Sequence, residues 1–458
     1  MSDRGVDGRS SLFGLGAAAR SQILARLAGQ RQAAPPQPAP TPPRLSLGDA
    51  AVREDIRIIR EAGAVLNIDN PYFRPHDGLA GAETRIGARD LLNFASYNYL
   101  GLNGHPTVVA AAKAAIDRYG TSVSASRIVS GERPVHRELE AALAEIYRAE
   151  ECLVLVSGHA TNVTVIGHLV GPRDAVVHDA LAHNSIVQGA KLSGARRLSF
   201  PHNDLDALDR LLAGLRGRAQ RLLVVTEGHY SMDGDIPDLP RLIAIVRRHG
   251  AYLMVDEAHA LGVLGTNGGG IAEHFGIDPR EVDIWMGTLS KTLSACGGYI
   301  AGSRDIVEYL RCTAPGFLYS VGLAPPLAAA ALAALGMMRA EPERVARLRV
   351  NAQAFLKAAT AAGLDTGTSL GAALIPIIVG SSIGATRAAD LLFQRGVNVQ
   401  PILYPAVAER AARLRFFVSA MHTPEQIERA VRETVAAVQE ARAAKVTISA
   451  LALALERK

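Results

Sequence analysis

The sequence predicts an α/β protein: a large domain on a mostly parallel sheet, followed by a smaller α+β domain. Three observations predict it. From about residue 90, short apolar runs alternate with helical stretches. Most runs are β-branched or Leu-rich at consecutive positions, as strands covered on both faces are, and each ends in Gly or a polar cluster. Past Val321 the chain turns to alanine-rich helix before strand-like runs return. A βαβ alternation of this kind argues a doubly wound sheet.

In chain order, residues 1–45 stand apart as a flexible extension. Leu12, Phe13, Leu15, Ile23, Leu24 and Leu27 mark a short amphipathic helix with Arg20 and Arg26 on its polar side. The proline-rich stretch 35–43 follows as a stiff spacer. Residues 46–91 read as an N-terminal arm, 92–337 as the large domain and 338–458 as the small one. Strands are predicted at 152–156, 175–177, 222–225, 253–255 and 284–286, with a helix at 240–249 that Gly250 stops. The alanine-rich segment 321–338 holds Pro325, Pro326 and two glycines, and reads as a buried or interface helix rather than a membrane span. Strands at 375–379 and 397–400 and a helix over Pro424–Ala443 complete the small domain.

Composition narrows the function classes. The 458 residues are 48% hydrophobic and 20% charged, a globular balance that excludes disorder for most of the chain. Aromatic residues are 5%, too few for stacked readout of bases. The net charge of +5 is concentrated in residues 1–45, which carry six Arg against two Asp, so the body is not a basic nucleic-acid binder. Cys152, Cys296 and Cys312 lack metal-ligand spacing and read as buried thiols of a reducing compartment. No basic n-region precedes an apolar h-region at the N-terminus, so a cytoplasmic location is expected.

In open α/β sheets, ligands bind beyond the carboxyl ends of strands. Three predicted strand ends carry complementary chemistry. Lys291, in Gly287-Thr288-Leu289-Ser290-Lys291, can form a Schiff base with an aldehyde. Asp256, in Asp256-Glu257-Ala258-His259, can keep a pyridine nitrogen protonated and make the ring an electron sink. Gly158 opens a helix whose first amides, with a hydroxyl, suit a phosphate. Together these are the requirements of pyridoxal 5'-phosphate. The Asp-Glu-Ala-His string also occurs in helicases, but no G-x-x-x-x-G-K-[ST] loop accompanies it.

From about Leu92 onward the chain resembles the α-oxoamine synthases, which include 8-amino-7-oxononanoate synthase, glycine C-acetyltransferase, 5-aminolevulinate synthase and serine palmitoyltransferase. The resemblance rests on Asn98-Tyr99-Leu100-Gly101-Leu102, Ser126-Arg127 with Gly131 and His136, and Asp179-Ala180-Leu181-Ala182-His183-Asn184-Ser185. It rests also on Glu227-Gly228-His229-Tyr230-Ser231-Met232-Asp233-Gly234 and on the strings around Asp256 and Lys291.

The resemblance implies a fold-type I pyridoxal-phosphate transferase with a seven-stranded, mostly parallel sheet. Lys291 would hold the cofactor and act as base on the substrate α-carbon. Asp256 would pair with the ring nitrogen, His183 would stack on the ring, and His259 would contact its hydroxyl. Gly158, His159 and Thr288 would hold the phosphate, Ser231 would line the pocket, and Arg415 and Asn98 would bind the amino-acid substrate. A bidentate guanidinium suits a carboxylate, whereas Arg413 is expected to be structural or solvent-facing.

It further implies a homodimer and the decarboxylative condensation of glycine, alanine or serine with an acyl thioester. Val321 stands where some relatives offer a phosphate-binding hydroxyl from the neighbouring subunit, and Ser320 is expected to compensate. His159 and Leu403 also depart from the family pattern, Leu403 replacing an arginine. Segments 121–127 and 401–405 resemble members tied to lipid or polyketide assembly, which would give residues 1–45 a carrier-protein partner. The alternatives are a fold-type I aminotransferase and a non-catalytic, cofactor-bound scaffold.

Overall fold

In the computed structural model, Ile68 and residues 70–444 are described. The expected amphipathic helix and proline spacer within residues 1–45, and the first part of the 46–91 arm, lie outside the described residues.

Thirteen strands occur among the described residues. They are β1 (Glu83–Ile86), β2 (Arg89–Asn93), β3 (Glu151–Leu155), β4 (Ala175–Asp179), β5 (Arg196–Phe200), β6 (Leu222–Glu227), β7 (Tyr252–Asp256), β8 (Ile284–Thr288), β9 (Gly298–Gly302), β10 (Leu374–Ile378), β11 (Val397–Asn398), β12 (Gln400–Ile402) and β13 (Arg413–Phe417). Seven form one sheet in the order β3-β9-β8-β7-β6-β4-β5. All neighbours pair parallel except β9, which is antiparallel to both β3 and β8. The carboxyl ends of β3, β4, β6, β7 and β8 therefore share one edge.

The continuous apolar runs follow from burial on both sheet faces. Val154, Val177, Val224, Val255 and Trp285 enter one core, while Leu153, Val176, Val225, Met254 and Met286 enter the other. Each such side chain contributes about 1.5–3 kcal/mol relative to exposure. Two strands of this sheet escape the sequence reading. β5 is an edge strand rich in Arg and Ser with only Phe200 buried, and β9 carries Gly298 and Gly302. A Cβ on Gly298 would lie 2.7 Å from the Gly158 Cα, so close backbone packing explains that glycine.

A third core gathers Leu92, Phe94, Phe355, Ile375, Ile377, Leu392, Val397, Leu414 and Phe416. It covers the antiparallel sheet β10-β13-β12 and the β1-β2-β11 sheet. Segment 397–400, expected as one strand, divides: β11 pairs with β2, and β12 pairs with β13. The chain passes from one sheet to the other at Val399.

The helix Pro325–Ala340 accommodates its prolines in the first turn, where no amide partner is needed. It buries Ala328, Ala331, Ala334 and Leu335 against the helices Pro106–Tyr119 and Pro134–Ile146. Among the described residues, no helix is long and apolar enough to cross a membrane. The thiol expectation is corrected: Cys152 is buried, but Cys296 and Cys312 are exposed. Cys312 lies on the helix Arg304–Thr313 away from its buried Val307 and Leu310, and Cys296 lies in the loop returning from Lys291.

Candidate active site

The shared strand edge opens into a cavity of about 440 Å³. Its wall includes Gly158, His159, His183, Ser231, Asp256, His259, Thr288, Lys291 and Arg415. Ten sequence positions, counting Ser320, were expected to hold the cofactor or the substrate carboxylate; Ser320 alone among them lies apart. It sits at the surface beside Val321, with its Oγ donating to the Val321 carbonyl 3.2 Å away.

β3 feeds the helix Gly158–Leu169, whose N-cap Ser157 accepts from the Ala160 amide at 3.3 Å. The helix supplies no acceptor for the amides of Gly158 and His159, so both are available to an anion. A Cβ on Gly158 would lie 2.7 Å from Thr288 Oγ1. Only glycine leaves that cradle open. Thr288 Oγ1 lies 2.8 Å from Ser290 Oγ and donates to the Gly297 carbonyl at 3.0 Å.

β6 and β7 set two carboxylates side by side, since Glu227 and Asp256 are register partners. Asp256 accepts from Asn162 Nδ2 at 2.7 Å and from the Ala258 amide at 2.9 Å. Glu227 accepts from the His183 amide at 2.6 Å. Burial, reinforced by the Asp256 charge, pushes Glu227 up to about 8. Burial lowers Lys291 to about 8, although Asp256 and Glu227 oppose that shift.

His183 caps the helix Asn184–Leu192, its Nδ1 2.7 Å from Ser185 Oγ. His259 Nδ1 lies 2.7 Å from the Tyr99 hydroxyl, and its ring is parallel to Phe417. Burial lowers both imidazole pKa values, that of His259 strongly, so both rings are neutral near pH 7.

Arg415 reaches the cavity from β13. Its Nη1 donates to the Ser231 carbonyl at 3.1 Å, and its buried Nε has no partner. Among the described residues it has no carboxylate partner. Arg413, two positions away, is paired with Asp233 at 2.6 Å and bonded to the Met232 carbonyl, as expected of a structural residue.

Asn98 is corrected. Its Nδ2 donates to the Ala80 carbonyl at 2.9 Å and its Oδ1 accepts from the Asn103 amide at 3.2 Å, so its side chain fastens two loops. Its neighbour Tyr97 lines the cavity instead, with Lys291 Nζ 5.9 Å from the ring centre. Asn162, Glu227, Ser290 and Phe417 were also missed. Asn162 could have been found, because it lies one helical turn beyond Gly158 and so shares its face.

These residues fit pyridoxal phosphate. The cradle that a Cβ on Gly158 would fill is left open to a phosphate, and Asp256 is buried with no salt-bridge cation among the described residues, an acid that a protonated pyridine completes. Asn162 Oδ1 is buried and unpartnered on the same floor.

A family model described as aminotransferase class I and II matches residues 89–433. The 8-amino-7-oxononanoate synthase of Symbiobacterium thermophilum is 41% identical over 76% of this chain and 88% of its own length. That of Geobacter sulfurreducens is 41% identical over 83% of this chain and 96% of its own. A solved serine palmitoyltransferase of S. paucimobilis, with bound PLP–myriocin aldimine, superposes with a TM-score of 0.83 at 28% identity, covering 87% of this chain and 100% of that one. The chain thus belongs to the aminotransferase class I and II family and, within it, to the α-oxoamine synthases, pyridoxal-phosphate-dependent acyltransferases of fold type I.

Proposed function

We propose that the protein condenses a small L-amino acid (glycine, alanine or serine) with an acyl thioester, giving an α-amino ketone, carbon dioxide and a free thiol. The observation that carries this reading is Arg415: a guanidinium at the cavity wall with an unpartnered buried nitrogen and no carboxylate of its own. A substrate carboxylate completes it.

When bound, pyridoxal phosphate supplies the electron sink that lets the amino-acid α-carbon act as a nucleophile. The amides of Gly158 and His159, with the Thr288 hydroxyl, would hold its phosphate. Asp256, oriented by Asn162, would hold the ring nitrogen's proton. His183 would stack on the ring, and His259, fixed by Tyr99, would contact its hydroxyl in the pocket that Ser231 lines. Lys291 Nζ, its pKa lowered toward neutrality, removes the α-proton. The α-carbon then bonds to the thioester carbonyl, the carbon–sulfur bond breaks, and the carboxylate leaves as carbon dioxide. A proton returns to the α-carbon, and one proton is taken up overall.

The active form in this reading is a homodimer, with Ser320 serving the neighbouring subunit's phosphate site. The acyl group comes from coenzyme A or from a carrier protein that docks on residues 1–45. The test is release of label from carboxyl-labelled glycine, L-alanine and L-serine by the holoenzyme, with and without acyl-CoA. Thioester-dependent carbon dioxide from one amino acid is expected. An oxo acid formed without thioester overturns the reading in favour of transamination. Removing residues 1–45 separates the donors: only carrier-bound acyl groups should then react more slowly.

A further inference from the structure

His202 lies in the turn after β5, among groups the chemistry above does not use. Its Nδ1 is 2.9 Å from Asp179 Oδ1 and its Nε2 is 2.9 Å from Asp235 Oδ2. Carboxylates only accept, so a neutral ring can serve one of them and only the imidazolium serves both. The ring is wedged edge-on against Tyr230, with centroids 4.5 Å apart. The charged groups facing it are Asp179 from the end of β4 and Asp235 from the loop after β6. Tyr230 is its titratable neighbour. Burial alone would lower the imidazole pKa, but the hydrogen bonds and charges of the two acids raise it to about 10.

Both acids are anchored beyond this ring. Asp179, at the strand end leading to His183, accepts from the amides of Leu181 at 2.7 Å and Asn203 at 2.9 Å. Asp235 Oδ2 also accepts from Thr368 Oγ1 at 3.0 Å. The loop 231–235 that ends in Asp235 is the one holding the substrate-facing arginine. The Ser231 carbonyl accepts from Arg415, the Met232 carbonyl and Asp233 accept from Arg413, and the Gly234 carbonyl accepts from the Leu370 amide. Gly234, at φ 71°, has no room for a side chain beneath the Leu374 carbonyl.

We propose that His202 is a positioning residue for the amino-acid carboxylate site. As a permanent imidazolium it joins Asp235 to Asp179, and so fixes the loop that carries Arg415's carbonyl partner relative to the strand end that carries His183. The proposal rests on the reading of Arg415 as the carboxylate ligand.

The test compares His202→Gln, Thr368→Val and Arg415→Gln as holoenzymes. Glycine, L-alanine and L-serine are titrated against the cofactor absorbance, and KM and kcat are measured with the responding amino acid and an acyl-CoA. His202→Gln should raise the amino-acid dissociation constant about tenfold while the thioester KM moves less than about twofold. Thr368→Val, at an exposed residue with little folding risk, should raise it about twofold and keeps the test open if His202→Gln folds poorly. Nitrogen-15 NMR of the imidazole in the cofactor-free protein at pH 8.5 should show both ring nitrogens protonated.

A neutral ring at that pH overturns the proposal. So does equal weakening for both substrates, or a lower melting temperature with amino-acid affinity unchanged. If Arg415→Gln weakens the amino acid but His202→Gln does not, the positioning role fails alone. If Arg415→Gln has no effect, the underlying reading fails with it.

Discussion

Arg127 and Arg415 are both withdrawn from bulk water, and the protein treats them in opposite ways. Arg127 forms two forks, bonding Glu132 through Nε and Nη2 at 2.6 and 2.8 Å and Glu140 through Nη1 and Nη2 at 2.5 and 3.1 Å. Glu140 in turn accepts from the Val154 amide at 2.9 Å, which ties the network to the central sheet. Arg415 has a carbonyl, a thioether sulfur and an unpartnered Nε. A buried charge that lacks its counter-charge opposes folding. The saturated guanidinium therefore belongs to the scaffold, and the open one stands at the cavity wall, where the proposed function gives it a carboxylate.

The largest effect is expected where saturation is broken. Arg127→Met takes from buried Glu140 its two hydrogen-bonded guanidinium contacts, leaving only Arg137 and Arg311, each 3.8 Å away, and should cost about 3–5 kcal/mol in urea unfolding. The folded fraction should bind the amino acid within about twofold of the parent. Arg415→Gln should do the reverse. Amino-acid affinity should fall about 100-fold, equivalent to about 2.7 kcal/mol, while unfolding stability stays within about 0.5 kcal/mol or rises. Equal losses of stability in the two variants would erase the distinction.

The two arginines also show what a sequence can reveal. Both stand in quotable strings, and the string around Arg415 located a cavity-lining group while assigning Arg413 to structure. Asn98 went the other way: a motif marks the position, but which neighbour faces the cavity depends on the turn geometry, and Tyr97 does. Strands β6, β7 and β8 were legible because burial on both faces writes a continuous apolar run. β5 and β9 were not: an edge strand needs few apolar residues, and a strand in close backbone contact uses glycine. Glu227 lay in the open as part of a motif. Its role depends on register with Asp256, and pairing across strands is not written locally.

Lys291 is a third buried cation, neither saturated nor bare, and it sharpens the comparison through pH. Its pKa falls from 10.5 to about 8, first because of burial. Below about 8 both folded and unfolded chains are protonated, and the burial penalty is present in full. Between about 8 and 10.5 the folded chain has lost a proton that the unfolded chain keeps, so stability rises with pH across that window. Lys291→Met should stabilise the cofactor-free protein below pH 8, with the advantage shrinking toward pH 10.5. The rate at which pyridoxal phosphate loads onto that protein should rise nearly tenfold per pH unit below about 8 and then level. A flat loading profile from pH 6.5 to 9 would show that burial does not set the amine's proton.

The smallest effect should come from the group that looks most like a catalytic acid. Glu227 is 3% exposed and faces Lys291, but burial and the neighbouring Asp256 raise it from 4.5 to about 8. Near neutral pH it is therefore a neutral hydrogen-bonding group, and glutamine reproduces both its shape and its acceptor for the His183 amide. Glu227→Gln should keep kcat/KM within about threefold, whereas Glu227→Ala, which strands that amide, should lose more. From pH 4.5 to about 8 the unfolded chain gives up a proton that the folded chain retains, so this carboxyl makes stability fall as pH rises. Glu227→Gln should remove that slope, gaining on the parent with each step in pH across the window. If the variant instead loses activity more than about tenfold and its stability tracks the parent from pH 5 to 8, Glu227 is ionised beside Asp256. The cavity would then hold two negative charges against Lys291 and Arg415, and Arg415 would no longer stand apart from Arg127 as a cation without acids.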